Sequence, residues 1–144
     1  MRKTRAKKRP LLPDPRFNDP LVTRFVNNMM LDGKKSTAFK IFYDAIDLVS
    51  ERTGEANGLD QWKTALTNVM PHVEVRSRRV GGATFQIPQQ IRPDRKISVA
   101  MKWLIGYSRK RNEKSMAGKL AGEIIAAAKE EGAAVKKRMD THKM

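Results

Sequence analysis

Apolar residues recur at three- and four-residue spacing along most of this chain, the period of an α-helix with one buried face. Leu21, Val22, Phe25, Val26, Met29 and Met30 form the first stripe. Asp19-Pro20 ahead of it reads as an N-cap with proline at the first helical position, and Gly33 reads as its end. A second stripe (Ala38, Ile41, Phe42, Ala45, Ile46, Val49) predicts a helix over 36–53 that stops at Gly54. A third predicts 59–70, with Trp62, Ala65, Leu66 and Val69 inward and Pro71 closing it. A fourth predicts 95–111, burying Val99, Ala100, Trp103, Leu104 and Tyr107. A fifth predicts 115–131, with Ser115 as N-cap, Met116, Leu120, Ile124 and Ala127 inward, and Gly132 as its end. A short sixth runs from Ala133 towards the C-terminus.

Between the third and fourth stripes the period falls to two. Val73 and Val75 alternate with polar residues, as do Phe85 and Ile87, on either side of Gly81-Gly82. Both central positions of a tight primed turn need φ > 0, so Gly-Gly predicts a hairpin spanning about 72–91. With a two-residue turn, Arg78 pairs with Phe85 and Arg76 with Ile87 on one face. Pro88 has no amide proton and leaves its edge open. A two-stranded ribbon is marginally stable alone. This one holds Arg76, Arg78, Arg79 and Arg92 against the single acid Glu74, so an acidic partner is needed to order it. The expected fold is mainly α, a single-domain bundle of about six helices with a protruding two-stranded β-hairpin arm. Residues 1–15 form a basic, proline-containing N-terminal extension and 16–144 the helical domain. No fixed-period repeat is present.

Charge identifies the partner. The 144 residues hold 30 Lys+Arg against 15 Asp+Glu, a formal charge of +15. Arg2, Lys3, Arg5, Lys7, Lys8 and Arg9 crowd the N-terminus with no acid among them. Asp44, Asp47, Glu51, Glu55 and Asp60 gather on and after the second helix. From Arg76 onward the basic side dominates, through Arg92, Arg95, Lys96 and Lys102, then Arg109, Lys110, Arg111, Lys114 and Lys119, then Lys136, Lys137 and Arg138. Such segregation is the electrostatic footprint of nucleic-acid binding. No run of about 18 apolar residues exists to span a bilayer, and the basic N-terminus lacks the apolar core of a secretory signal. The absence of Cys excludes disulfides and thiolate metal sites.

Catalytic readings are weak. Gly33-Lys34-Lys35-Ser36-Thr37 resembles the end of a phosphate-binding loop, but position 28 is Asn where Gly is required, and a helix precedes it rather than a strand. Lys34, Lys35 and Ser36 fit better as a helix start that meets a backbone phosphate. Asp44, Asp47 and Glu51 share a face without His, Ser or Cys beside them, and read as a solvated surface. His72 and His142 stand alone, so no metal site, cofactor or small-molecule substrate is expected. Ser115 beside Arg109-Lys110-Arg111 makes a second phosphate site at a helix start. Arg76, Arg78 and Phe85 on one ribbon face could stack on unpaired bases.

Several strings match a known family: Leu12-Pro13-Asp14-Pro15, Asp32-Gly33-Lys34-Lys35-Ser36-Thr37, the run from Val73 through Arg76, Arg78 and Arg79 to Gly81-Gly82, Arg109-Lys110-Arg111 followed by Lys114-Ser115-Met116-Ala117, and Ala134-Val135-Lys136-Lys137-Arg138. The chain closely resembles the bacterial-type small-subunit ribosomal protein S-seven family from about Leu12 to Met144. The resemblance implies a cytoplasmic, non-enzymatic structural constituent of the small ribosomal subunit. It implies primary binding to the 3′ major domain of 16S rRNA and nucleation of assembly of the 30S head. It also implies a place at the subunit interface near the decoding region, the exit-site tRNA and the mRNA exit path, with proteins S-nine and S-eleven as neighbours. The arm around Arg76–Gly82 would reach the interface. Lys34, Lys35, Arg92, Arg95, Arg109, Lys110, Arg111, Lys114 and Ser115 would face RNA. Family members usually continue beyond the position of Met144 into a tail near the exit-site tRNA and S-eleven, and those two contacts are carried over only with such a tail.

Two other functions compete. An architectural DNA-binding protein would also extend basic β-arms, but its arms carry an apolar wedge, whereas the tip here is Val80-Gly81-Gly82-Ala83. A phosphate-handling enzyme would use Gly33–Thr37 and would bind free nucleotide. If the hairpin is an RNA-binding arm rather than core, Arg78→Glu with Arg79→Glu will weaken RNA binding and leave the helical circular-dichroism signal unchanged; a loss of helicity would show that the hairpin supports the core.

Overall fold

The structure is a computed structural model. It describes residues 4, 10–54 and 57–142; within the hairpin, residues 75–80 and 84–88 are described by their backbone. The predicted side chains Arg2, Lys3, Arg5, Lys7, Lys8 and Arg9, together with Glu55, lie outside the described residues, as do the side chains of Arg76, Arg78, Arg79 and Phe85.

Six helices and one hairpin follow in order: α1 Pro20–Met29, α2 Lys35–Thr53, α3 Gly58–Val69, β1 Val73–Val80, β2 Ala83–Gln90, α4 Pro93–Arg109, α5 Met116–Ala128 and α6 Gly132–His142. Local chemistry sets most boundaries. The Asp19 carboxylate accepts from the Leu21 amide at 2.9 Å and caps α1 ahead of Pro20. Gly54 ends α2 in the left-handed region. Asn57 caps α3 by accepting from the Asp60 amide. Ser115 caps α5 by accepting from the Gly118 amide at 3.1 Å.

Helix α5 lies at the centre, in contact with α2, α3, α4 and α6. Seven of its residues are buried, including Gly118, Leu120, Ala121, Gly122 and Ile124, so it is enclosed on nearly every side. Phe25, Phe42 and Trp62 make a second focus, with ring centroids 5.2–5.5 Å apart and tilted or edge-on geometry. At the start of α3, a Cβ on Gly58 would come within 2.5 Å of the Ile46 carbonyl oxygen, so only glycine lets α3 approach α2 this closely.

The segment before α1 is held down by one buried carboxylate. Asp14 is 2% exposed and accepts from the amides of Arg16, Phe17 and Asp19 and from the Tyr43 hydroxyl, at 2.7–3.1 Å. Two residues earlier, the Leu12 carbonyl accepts from Thr23 Oγ1 at 2.6 Å.

Three predictions need correction. Helix α1 ends at Met29, ahead of Gly33; Asp32 and Gly33 both adopt positive φ and turn the chain into α2. Helix α5 ends at Ala128, ahead of Gly132, with Glu130 at positive φ in the turn that follows. Helix α4 is rotated from the expected face: Ala100 and Leu104 are buried as predicted, but with Met101, Ile105 and Ser108 rather than Val99, Trp103 and Tyr107. Ser108 can go inside because its hydroxyl donates to the Ile105 carbonyl at 2.7 Å. Trp103 and Tyr107 are half-buried and pack on the rim of the core.

Burial alone would raise the Asp14 pKa, but its four hydrogen bonds outweigh burial and hold it below the ordinary 3.8. Its contribution to stability is therefore complete above pH 3.8 and is lost as pH falls through the folded-state value. Asp14→Asn should cost about 1–3 kcal/mol at pH 6, and the gap from wild type should shrink below pH 3.8, as read by urea midpoints. A gap independent of pH would show that the carboxylate charge is not what matters.

Candidate nucleic-acid interface

Two helix starts that lie far apart in the sequence sit at one corner of the bundle. Lys34 stands at the N-cap of α2 with no side chain capping it. Lys34, Lys35 and Ser36 are all exposed there. A groove of about 450 Å³ runs beside this turn, and its walls include Lys34, Arg109 from the end of α4 and Met116 from the first turn of α5. Arg109 is anchored, since its guanidinium donates to the Met29 carbonyl at the end of α1 at 3.1 Å. The Lys110 ammonium lies 5.1 Å from the Tyr107 ring centroid. Lys114 and Ser115 are exposed next to the start of α5. An uncapped helix start and a second helix start, edged by lysine and arginine, suit the oxygens of a phosphodiester.

The hairpin projects from the opposite end of α4. Its strands pair with each other, and its root touches α6 and, through Glu74, α4. The register is antiparallel, with Arg78 opposite Phe85 and Arg76 opposite Ile87, as predicted. Gly81 and Gly82 both have positive φ, 59° and 84°, as the primed turn requires. Two clamps hold the root. Arg95 on α4 makes a bidentate pair with Glu74 on β1, with the Nε bond at 2.7 Å. His72 stacks on His142 with centroids 5.5 Å apart, and its amide donates to His142 Nε2 at 3.0 Å. The two histidines therefore do not stand alone. Burial, with His72 and Arg138 nearby, holds the His142 pKa below its ordinary 6.5 and favours the neutral ring that can accept this bond. No cluster of metal-ligating side chains exists among the described residues.

Several predicted RNA-facing residues are engaged within the protein. The Arg111 guanidinium bonds Glu113 at 3.1 Å and Glu123, which is 1% exposed, at 3.2 Å. Glu123 also accepts from the Ala134 amide at 3.1 Å and so joins α5 to α6. Hydrogen bonding to Glu113 is the main reason the Arg111 pKa is raised, and hydrogen bonding to Arg111 lowers that of Glu113. Arg138 donates to the Asn68 carbonyl at 2.5 Å. Arg92, Lys102, Lys136 and Lys137 are exposed, and Lys96 and Lys119 are half-buried.

The acidic face on α2 is exposed. Asp47 pairs with Arg16 at 2.5 Å, while Asp44 and Glu51 are exposed. The Gly33–Thr37 segment follows a helix rather than a strand, so it lacks the setting of a nucleotide-binding loop. The sequence reading missed the apolar groove. Its signal was Leu31, a large apolar side chain in a turn, which is 63% exposed.

The family model for ribosomal protein S7p/S5e matches residues 1–144. The chain belongs to this family. Its relatives include proteins named small ribosomal subunit protein uS7 from Flavobacterium psychrophilum, Cytophaga hutchinsonii and Salinibacter ruber. The first is 80% identical over all of this chain and 92% of its own length. The second is 65% identical over the same shares. The third is 57% identical over 92% of this chain and 84% of its own length. Family membership makes the chain a structural constituent of the small ribosomal subunit and not an enzyme. No helix among the described residues is long and apolar enough to cross a membrane.

Arg111→Ala strands the buried Glu123 carboxylate and should lower stability by about 2–4 kcal/mol. Lys110→Ala, one residue away on the surface, should stay within about 0.5 kcal/mol of wild type. Equal urea midpoints for the two variants would mean that Arg111 does not hold the fold.

Proposed function

We propose that this chain is a primary binder of the 3′ major domain of 16S rRNA and that its binding nucleates assembly of the 30S head. In this reading it sits at the subunit interface near the decoding region, the exit-site tRNA and the mRNA exit path, beside S-nine and S-eleven. The observation that carries RNA recognition is the convergence of Lys34 and Arg109 with the start of α5 around one groove. Lys35, Ser36, Lys110, Lys114 and Ser115 extend this corner.

The hairpin supplies the second contact, through Arg76, Arg78, Arg79 and the Gly81-Gly82 turn. Arg92, Lys96, Lys102, Lys119, Lys136 and Lys137 add charge along the body, as do the six basic residues of the N-terminus, Arg2 through Arg9. Arg95, Arg111 and Arg138 contribute field, while their hydrogen bonds serve the fold. Phosphate contacts of this kind position the protein, and the shape of a multi-helix RNA junction supplies specificity.

Binding to a junction fragment of the 3′ major domain should weaken steeply with salt. For about 6–10 neutralised phosphates, log K against log[salt] should have a slope of roughly −4 to −9. Lys34→Gln should reduce the slope by about one. An affinity indifferent to salt, measured by filter binding across 50–400 mM KCl, would overturn the proposal.

A further inference from the structure

The corner that gathers the phosphate-binding groups also contains a hollow that phosphate does not explain. Met29, Leu31, Ala38, Ile41 and Met116 make its walls, an apolar lining unsuited to a charged oxygen. At about 450 Å³ it lies within the range of small-ligand sites. Three charged groups border it. Lys34 and Arg109 are cations, and Arg109 is already oriented by the Met29 carbonyl. Asp32 is the one acid among the lining residues, and it holds a left-handed backbone conformation, φ 54°.

We propose that this groove receives one unstacked nucleobase of the bound RNA, with the phosphates on either side of it lying on Lys34 and Arg109. The proposal rests on the RNA-binding reading above and gives this corner its ligand. A flat, polarisable base suits walls of methionine and branched aliphatic side chains. Paired bases of an A-form helix are out of reach of such a hollow, so the base must come from a loop, bulge or junction strand. The two cations match the charge that a nucleotide brings and that an apolar side chain of a neighbouring protein would lack. Asp32 can accept from an exocyclic amine and so favours a base that carries one.

Thr37 lines the groove, is exposed and carries no charge, so Thr37→Trp fills the hollow and leaves the cations in place. The full chain and this variant would be titrated against a junction fragment of the 3′ major domain and against the same fragment carrying single abasic substitutions in its unpaired strands. Thr37→Trp should weaken binding roughly five- to a hundredfold, the loss of one stacked base, with an unchanged salt slope. One abasic position should cost the wild type a similar factor and cost Thr37→Trp nothing further. Leu31→Ala repeats the test by removing a wall, should the tryptophan disturb the fold by circular dichroism. If every abasic substitution costs the variants as much as the wild type, no base sits in the groove. If the variants bind the intact RNA as wild type does, the hollow belongs to a protein neighbour instead; either result overturns the proposal. Loss of salt dependence in the wild type would instead mark failure of the RNA-binding reading itself.

Discussion

Enclosing α5 is the constraint on which the rest of the structure depends. A helix touched by four others cannot present large side chains in every direction, because the neighbours would be held too far apart to meet one another. Ala121 and Ala127 are small enough to let them close in, Leu120 and Ile124 fill what remains, and Gly122 leaves room for the Arg111 and Glu113 side chains of the preceding loop. One charged residue, Glu123, is nevertheless buried inside this shell. Its carboxylate is tolerable because Arg111 and the Ala134 amide answer it from the α4–α5 loop and from α6. The same bonds therefore hold the last helix and the basic loop on the hub.

That arrangement decides where positive charge can act. Exposed cations also stand along the helices, Lys102, Lys136 and Lys137 among them, but only those at helix starts have free backbone amides beside them. The end of α1, the start of α2, the end of α4 and the start of α5 meet at one corner. Backbone amides at the helix starts and side-chain cations thus reinforce each other there. The acidic positions of α2 occupy other turns of that helix, and one of them, Asp47, is tied to Arg16. The excess of charge is concentrated by topology as much as by composition.

Local signals in the sequence were legible. The stripes on α1, α2 and α3, the Asp19, Ser115 and Gly54 caps, and the pairing of Arg78 with Phe85 all follow from spacing and turn chemistry within one element. The face of α4 was misread because aromatic bulk suggested burial. Packing instead buried the flexible Met101 and a Ser108 whose hydroxyl is satisfied within its own turn. The His72–His142 stack joins residues that lie 70 positions apart, and Arg111 meets Glu123 only because the chain reverses between α4 and α5. The groove beside Leu31 needs the α1–α2 turn and the α4–α5 loop to come together. None of these leaves a periodic trace, so of the candidate site its charged groups were visible in the sequence but their convergence was not.

The hairpin root has a mechanical consequence. Each strand spans eight residues, so the turn stands about 26 Å from the body at the usual rise of a β-strand. Over that distance a tilt of about five degrees at the base displaces the far end by roughly 2 Å, more than a hydrogen bond tolerates. The angular stiffness supplied by Glu74 with Arg95, and by His72 with His142, thus sets the aim of a lever held at its root.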